Sequence, residues 1–245
     1  MAHRGDGAIG GNVVVMVDIV VIGAHGKVAQ LALPLLVAAG HRVHGVVRNP
    51  DQLPTVEQTG ARAALADIEH HDTRGIANLL RGHKAVVWSA GAGGGDPRRT
   101  YAVDRDAAIR TMDAASSVGV SRFVMVSYFG AGPEHDTPPD SSFFPYAQAK
   151  SAADGHLALT SLAWTILRPS RLTADEPTGS ISVAADQSGS VSRGNVAAVI
   201  AATFADPRTV GKIYEFNDGD IPIAEALAQG GWHPPSAEAV GPVRA

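Results

Sequence analysis

Short apolar, largely β-branched runs recur along the chain at Asp18–Ile22, Val43–Val47, Ala85–Trp88, Phe123–Val126 and Trp164–Leu167. Runs of this length without polar alternation are typical of strands buried on both faces of a parallel sheet. Between them, Val28–Ala39, Thr73–Leu80, Arg98–Val118 and Tyr146–Leu159 carry apolar residues at helical spacing, each near the length that a crossover helix requires. Gly40 and Gly119 follow two of these helices, and Asn49-Pro50 ends the second strand, as expected of residues that stop regular structure. The pattern predicts an α/β protein with a doubly wound parallel sheet and helices on both faces. After Pro169 the regularity weakens into Thr173–Ser190, rich in Ser, Thr, Asp and Gly, before a helical Asn195–Phe204 and a short strand at Lys212–Phe216. This part is expected to form a small C-terminal lobe. Residues 1–11 read as a flexible extension, 12–231 as one domain and 232–245, with Pro234, Pro235 and Pro242, as surface coil.

Composition narrows the partners. The chain has 245 residues, 45% of them hydrophobic and 18% charged, enough for one sizeable core. Twenty Lys and Arg against 24 Asp and Glu give a net charge of −4, which supplies no long-range attraction to nucleic acid or an anionic membrane. The absence of cysteine excludes disulfides, thiolate nucleophiles and Cys-bearing zinc sites. The longest apolar stretch, Val13–Ile22, is interrupted by Asp18 and is shorter than the roughly 20 residues that span a bilayer. With no signal-like N-terminus, the cytoplasm is the expected location. Ten histidines include the adjacent His70-His71 but no His-x-x-x-His pair, so no metal is expected. Ser127 lacks the Gly-x-Ser-x-Gly elbow of a hydrolase nucleophile.

The most informative segment is Val20-Val21-Ile22-Gly23-Ala24-His25-Gly26-Lys27-Val28-Ala29, a strand running through Gly-x-x-Gly-x-x-Ala into a helix. In this context Gly23 permits a tight turn, Gly26 permits close approach of a pyrophosphate, and Ala29 permits close helix packing. The free N–H groups and dipole of the helix favour an anion without a large basic patch. The position that ordinarily reads the adenosine ribose with an acid, at the end of the second strand, is Arg48 here. A guanidinium there suits a 2′-phosphate, so the expected cofactor is NADP(H) in preference to NAD(H). Asp67 and Ile68 are placed toward adenine, and Ser89-Ala90-Gly91 toward the cofactor ribose, because ligands of open parallel sheets lie beyond the carboxyl ends of the strands.

Tyr146 and Lys150 stand four residues apart, on one face of a helix, and Ser127 ends the preceding strand. The expected chemistry is hydride exchange, with Tyr146 moving the alcohol proton, Ser127 orienting the oxygen, and Lys150 holding the cofactor ribose while lowering the tyrosine pKa. The other reading is a non-catalytic NADP(H) sensor, against which the retained Tyr146 argues.

Together, Gly23–Ala29, Asp67, Ser89-Ala90-Gly91, Val126-Ser127, Tyr146–Lys150 and Trp164–Pro169 resemble the atypical short-chain dehydrogenase/reductases. The likeness is to the group labelled NAD(P)H-binding or NAD-dependent epimerase/dehydratase, and it spans roughly Val17 to Ala228. The resemblance implies a Rossmann fold, puts Pro169 and Ser170 beside the nicotinamide, and makes the chain after Pro169 the wall of the substrate pocket. Many active relatives carry an Asn where this chain has Asp104. Substrate identity and the choice between monomer and homo-oligomer stay open.

Overall fold

The computed structural model describes residues 15–183 and 186–233; the expected N-terminal extension and almost all of the expected C-terminal coil lie outside them. Six parallel strands form the frame: β1 (Asp18–Ile22), β2 (Arg42–Val47), β3 (Arg62–Leu65), β4 (Ala85–Trp88), β5 (Arg122–Val126) and β6 (Ala163–Pro169). Later strands are β7 (Arg171–Thr173), β8 (Ser180–Ser182), β9 (Ser190–Ser192), β10 (Lys212–Asp218) and β11 (Ile221–Pro222). The main sheet has the order β11-β8-β10-β6-β5-β4-β1-β2-β3, with β7 and β9 paired separately. All its pairs are parallel from β3 to β10, and β8 joins β10 and β11 antiparallel. The chain is thus a Rossmann-like α/β fold.

Alternation along each strand divides two apolar cores, as the geometry of a sheet covered on both faces requires. Ile19 and Val21 of β1, with Val87 and Val124, join the core under α1 (Lys27–Ala38) and α7 (Arg193–Ala205). Val20 and Ile22, with Val86, Trp88, Phe123 and Met125, join the core under α3 (Thr73–Leu80), α5 (Ala108–Ser117) and α6 (Phe144–Ala158). No helix among the described residues is long and apolar enough to cross a membrane.

Three features differ from the sequence expectation. β3 carries no β-branched residue and is mostly exposed or half-buried, an edge strand defined by pairing with β2 rather than by its own pattern. The short α2 (Leu53–Glu57), five residues opened by Pro54 in its first turn, has too few positions to show a period. The expected Arg98–Val118 helix is α4 (Pro97–Thr100), a π-helical segment Tyr101–Ala107, and α5. The wider turn carries buried Asp104, whose Oδ2 accepts from the Ala92 N–H at 2.9 Å. Part of the segment after Pro169 completes the main layers, β10 in the sheet and α7 against α1, which leaves β7, β9, β8 and β11 to frame the small lobe.

The strand order turns back between β1 and β4, and the crevice beyond their carboxyl ends is where such folds receive ligands. The helix α1 bordering it separates core from surface residue by residue. Truncating Leu33, fully buried, to Ala is expected to lower unfolding stability by about 2–5 kcal/mol. Leu31→Ala, 44% exposed two residues earlier, should change it by less than about 0.5 kcal/mol; urea titration of the two variants checks the contrast.

Candidate functional site

The turn after β1 has little freedom. Gly23 has φ +82°, and a Cβ built there would stand 2.6 Å from the Ala90 Cα and 2.7 Å from its nitrogen. Glycine is therefore required both by conformation and by the close approach of the β4 loop. Gly26 N donates to the Gly23 oxygen at 2.9 Å and becomes the N-cap of α1, which has no side-chain cap and no acid in its first turn. Its opening N–H groups and positive dipole end are thus left for an anion. His25, Gly26 and Lys27 are exposed, while Val28 and Ala29 are buried.

Three adjoining cavities run along the carboxyl edge of the sheet. The first, about 230 Å³, is lined by Gly23, His25, Gly26, Arg48, Asp67, Ile68, Ser89, Ala90 and Gly91. The second, about 910 Å³, shares Gly26 and Ser89–Gly91 with it and adds Lys27, Val28, Ser127, Tyr146 and Lys150. The third, about 800 Å³, continues past Ser127 and Tyr146 to Pro169, Ser170 and the chain that follows. All the residues expected at the site line one or more of these spaces, although nearly 150 positions separate the first from the last in sequence.

At the adenosine end Arg48 is exposed, and among the described residues it has no ion-pair or hydrogen-bond partner. Asp67 is less free than expected: Oδ1 accepts from the Glu69 N–H at 3.1 Å and Oδ2 pairs with the His70 ring at 3.0 Å. Arg99 is a further cation lining this cavity, braced by Glu69 at 3.1 Å and by the Ala92 carbonyl at 2.6 Å. Its sequence signal is weak, an arginine in the first turn of a Pro-opened helix.

The Ser127, Tyr146 and Lys150 cluster assembles at the ends of β5 and α6, but with different electrostatics from those expected. Lys150 is 1% exposed and donates from Nζ to the Val126 carbonyl at 2.6 Å. Burial lowers its pKa, against the opposing pull of Asp104 and Asp154. Tyr146 is not made acidic: burial pushes its phenol well above the usual 10, and Asp104, Asp154 and Tyr128 push the same way. The expectation that Lys150 lowers the tyrosine pKa is therefore corrected, because burial disfavours the phenolate first, Asp104 and Asp154 add to it, and the ammonium is engaged by a backbone carbonyl.

Ser127, 4% exposed, donates to Asp154 Oδ2 at 2.8 Å. The same oxygen accepts from Arg168 Nε at 3.0 Å, and Arg168 Nη1 reaches Glu215 at 3.1 Å. Asp154 and Arg168 are not among the site residues expected from the sequence, where Arg168 figures only within the Trp164–Pro169 strand. The available signal was periodicity, since Tyr146, Lys150 and Asp154 fall at i, i+4 and i+8 on one helix face. The aromatic rings of Tyr128 and Phe143 stand 5.5 and 5.2 Å from that of Tyr146 and close the substrate-side recess.

A Gly-rich turn that only glycine satisfies, an uncapped helix N-terminus facing a cavity, and a free guanidinium at the β2 end together fit the diphosphate and adenosine of a dinucleotide. Comparison with known proteins agrees. The family model described as NAD(P)H-binding matches residues 23–207. The uncharacterized sugar epimerase YhfK of Bacillus subtilis is 34% identical over 209 residues, which is 84% of this chain and 96% of that protein. A Schizosaccharomyces pombe protein, UPF0659 protein C216.03, is 32% identical over 233 residues, 87% of this chain and 94% of its own. Among solved structures, a Bacillus halodurans protein provisionally named an NAD-dependent epimerase/dehydratase is 34% identical with a TM-score of 0.80, over 87% of this chain and 99% of that one. The chain belongs to the NAD(P)H-binding family.

Proposed function

We propose that the protein is an NADP(H)-dependent oxidoreductase acting on a small carbonyl or hydroxyl compound, in the cytoplasm. The observation that carries this reading is that Ser127 and Tyr146 belong to the walls of both larger cavities. One cavity opens from the phosphate-binding turn and the other from the lobe after Pro169, so the two side chains stand where cofactor and substrate would meet. The relatives named as an epimerase and as an epimerase/dehydratase keep epimerisation, which also begins with hydride removal from a carbon bearing a hydroxyl, within the same reading.

When bound, the nicotinamide supplies or accepts the hydride. The residues of the chain do the rest. Gly23, Gly26 and the opening of α1 would hold the diphosphate, and Arg48 a 2′-phosphate. Arg48 supports the phosphorylated dinucleotide because it is a cation with no competing acid partner among the described residues. Tyr146 is the proton carrier. Because its phenol is held protonated at neutral pH, it is able to donate a proton to a substrate oxygen in carbonyl reduction. Ser127 and the aromatic wall hold the substrate against it. Retention of this set beside a recess favours an enzyme over a sensor.

Two outcomes test the reading. Replacing Arg48 by Gln should weaken NADPH binding about tenfold or more, the scale of one charge-assisted contact, while leaving NADH binding within about twofold; equal losses in calorimetry would remove the NADP(H) assignment. With an accepted carbonyl substrate, the reductive rate should not fall between neutral pH and pH 10, since the folded-state phenol titrates above its usual value of 10. Tyr146→Phe should reduce that rate by about 10²–10⁴-fold. No tyrosine-dependent turnover across a panel of carbonyl compounds would favour the sensor.

A further inference from the structure

The geometry around Ser127 fixes which way its single proton points. Arg168 is a permanent donor, and its Nε–H is directed at Asp154 Oδ2 from 3.0 Å. With Arg168 paired to it and Lys150 facing it, the ionised carboxylate is the form these cations favour, and it offers acceptor lone pairs only. The Ser127 hydroxyl, 2.8 Å from the same Oδ2, is then the donor. Asp154 is 2% exposed and Arg168 5%, and the far side of Arg168 is held by Glu215, whose Oε1 also accepts from the Gly130 N–H at 3.1 Å. The arrangement is thus clamped from β5, β6, α6 and β10, with Lys150 the remaining charge facing Asp154 from its own helix.

We infer that Asp154 is a positioning residue that draws the Ser127 proton inward, so that Ser127 presents only lone pairs to the substrate recess and recognises a hydroxyl beside the reacting carbonyl. This rests on the proposed redox reading and deepens it. Tyr146 has no hydrogen-bond partner among the described residues and is left as the donor to the carbonyl oxygen. An acceptor at Ser127 next to that oxygen would repel it, whereas a neighbouring substrate hydroxyl satisfies the serine and leaves the carbonyl to the tyrosine. The substrate class is therefore a 2-hydroxy carbonyl compound, or the vicinal diol that is its reduced form. The chemistry is balanced: hydride from NADPH adds to the carbonyl carbon, the Tyr146 proton goes to its oxygen, and the phenolate recovers a proton from water.

The test uses the whole protein and two probes alike except for one hydroxyl, acetoin and butanone, reduced with NADPH. Wild type should favour acetoin by about tenfold in kcat/KM, the effect of leaving one enclosed acceptor unpaired. Ser127→Ala should abolish the preference. Asp154→Ala removes the acceptor, frees the Ser127 hydroxyl to turn outward, and should move the preference toward butanone; Asp154→Asn, whose Oδ1 can accept from both Arg168 and Ser127, should keep the preference for acetoin. A preference for butanone in wild type, or one untouched by Ser127→Ala, overturns the inference. A second arm needs neither turnover nor Asp154→Ala to fold. In protein labelled with ¹³C at aspartate carboxyls, Ser127→Ala should move the Asp154 resonance and raise its titration midpoint, since the serine hydrogen bond holds it down. An indifferent resonance overturns the inference even if both ketones are reduced. A resonance that moves while no carbonyl compound is reduced upholds the serine geometry and sinks the redox reading instead.

Discussion

The approach of the Gly23 turn to the backbone of Ala90 is the constraint on which the site depends. β1 and β4 are adjacent and parallel, with Ile22 beside Trp88, so their loops leave the sheet together and must pass each other within a distance that no Cβ tolerates. Removing the side chain at that one position lets the chain reverse into α1 immediately. The reversal brings the positive end of α1 to the point where the strand order switches, which is also where two parallel strands part and leave a crevice. Anion binding, cavity position and fold topology are thus one geometric fact seen at three scales.

A second constraint is the charge gathered at the far end of the same crevice. Lys150, Asp104, Asp154 and Arg168 are all nearly or fully buried, and each would be unfavourable there alone. They persist as a set, cation beside carboxylate, tied to the backbone through Val126 and Ala92. The tyrosine at the edge of this set feels it mainly as nearby negative charge. Its protonated form is favoured first by burial and then by that charge, and the familiar inference that a lysine one helical turn away makes a tyrosine acidic fails where the lysine is engaged by a carbonyl.

How much of this could be read in the sequence follows from how local each feature is. The strands β1, β2, β4, β5 and β6 were legible because burial on both faces demands continuous apolar runs, and the phosphate-binding turn because its glycines have no substitute. Tyr146 and Lys150 were legible through spacing on one helix. β3 was not, since an exposed edge strand of Arg, Ala and Leu is defined by its neighbour. The π-helical turn at Tyr101–Ala107 was invisible because a shift of hydrogen bonding from one residue to the next leaves apolar periodicity almost intact. The Ser127–Asp154–Arg168 contact joins two strands and a helix, and only the helical interval from Lys150 to Asp154 hinted at it.

The division of the site also explains why substrate specificity is harder to read than cofactor class. The dinucleotide end is built from strand termini and a helix start, where backbone geometry does the recognising and leaves a sequence trace. The substrate end is built from Tyr128, Phe143 and the irregular chain after Pro169, where recognition depends on side-chain direction. Even there one element is rigid. Ser127 directly follows the buried strand β5, its N–H bonded to the Leu167 carbonyl at 2.7 Å and its hydroxyl held by a carboxylate that an arginine also engages. A recess in which the Ser127 hydroxyl is held this way offers its ligand a fixed hydrogen-bond polarity at that point, so that polarity as well as shape enters the choice of ligand.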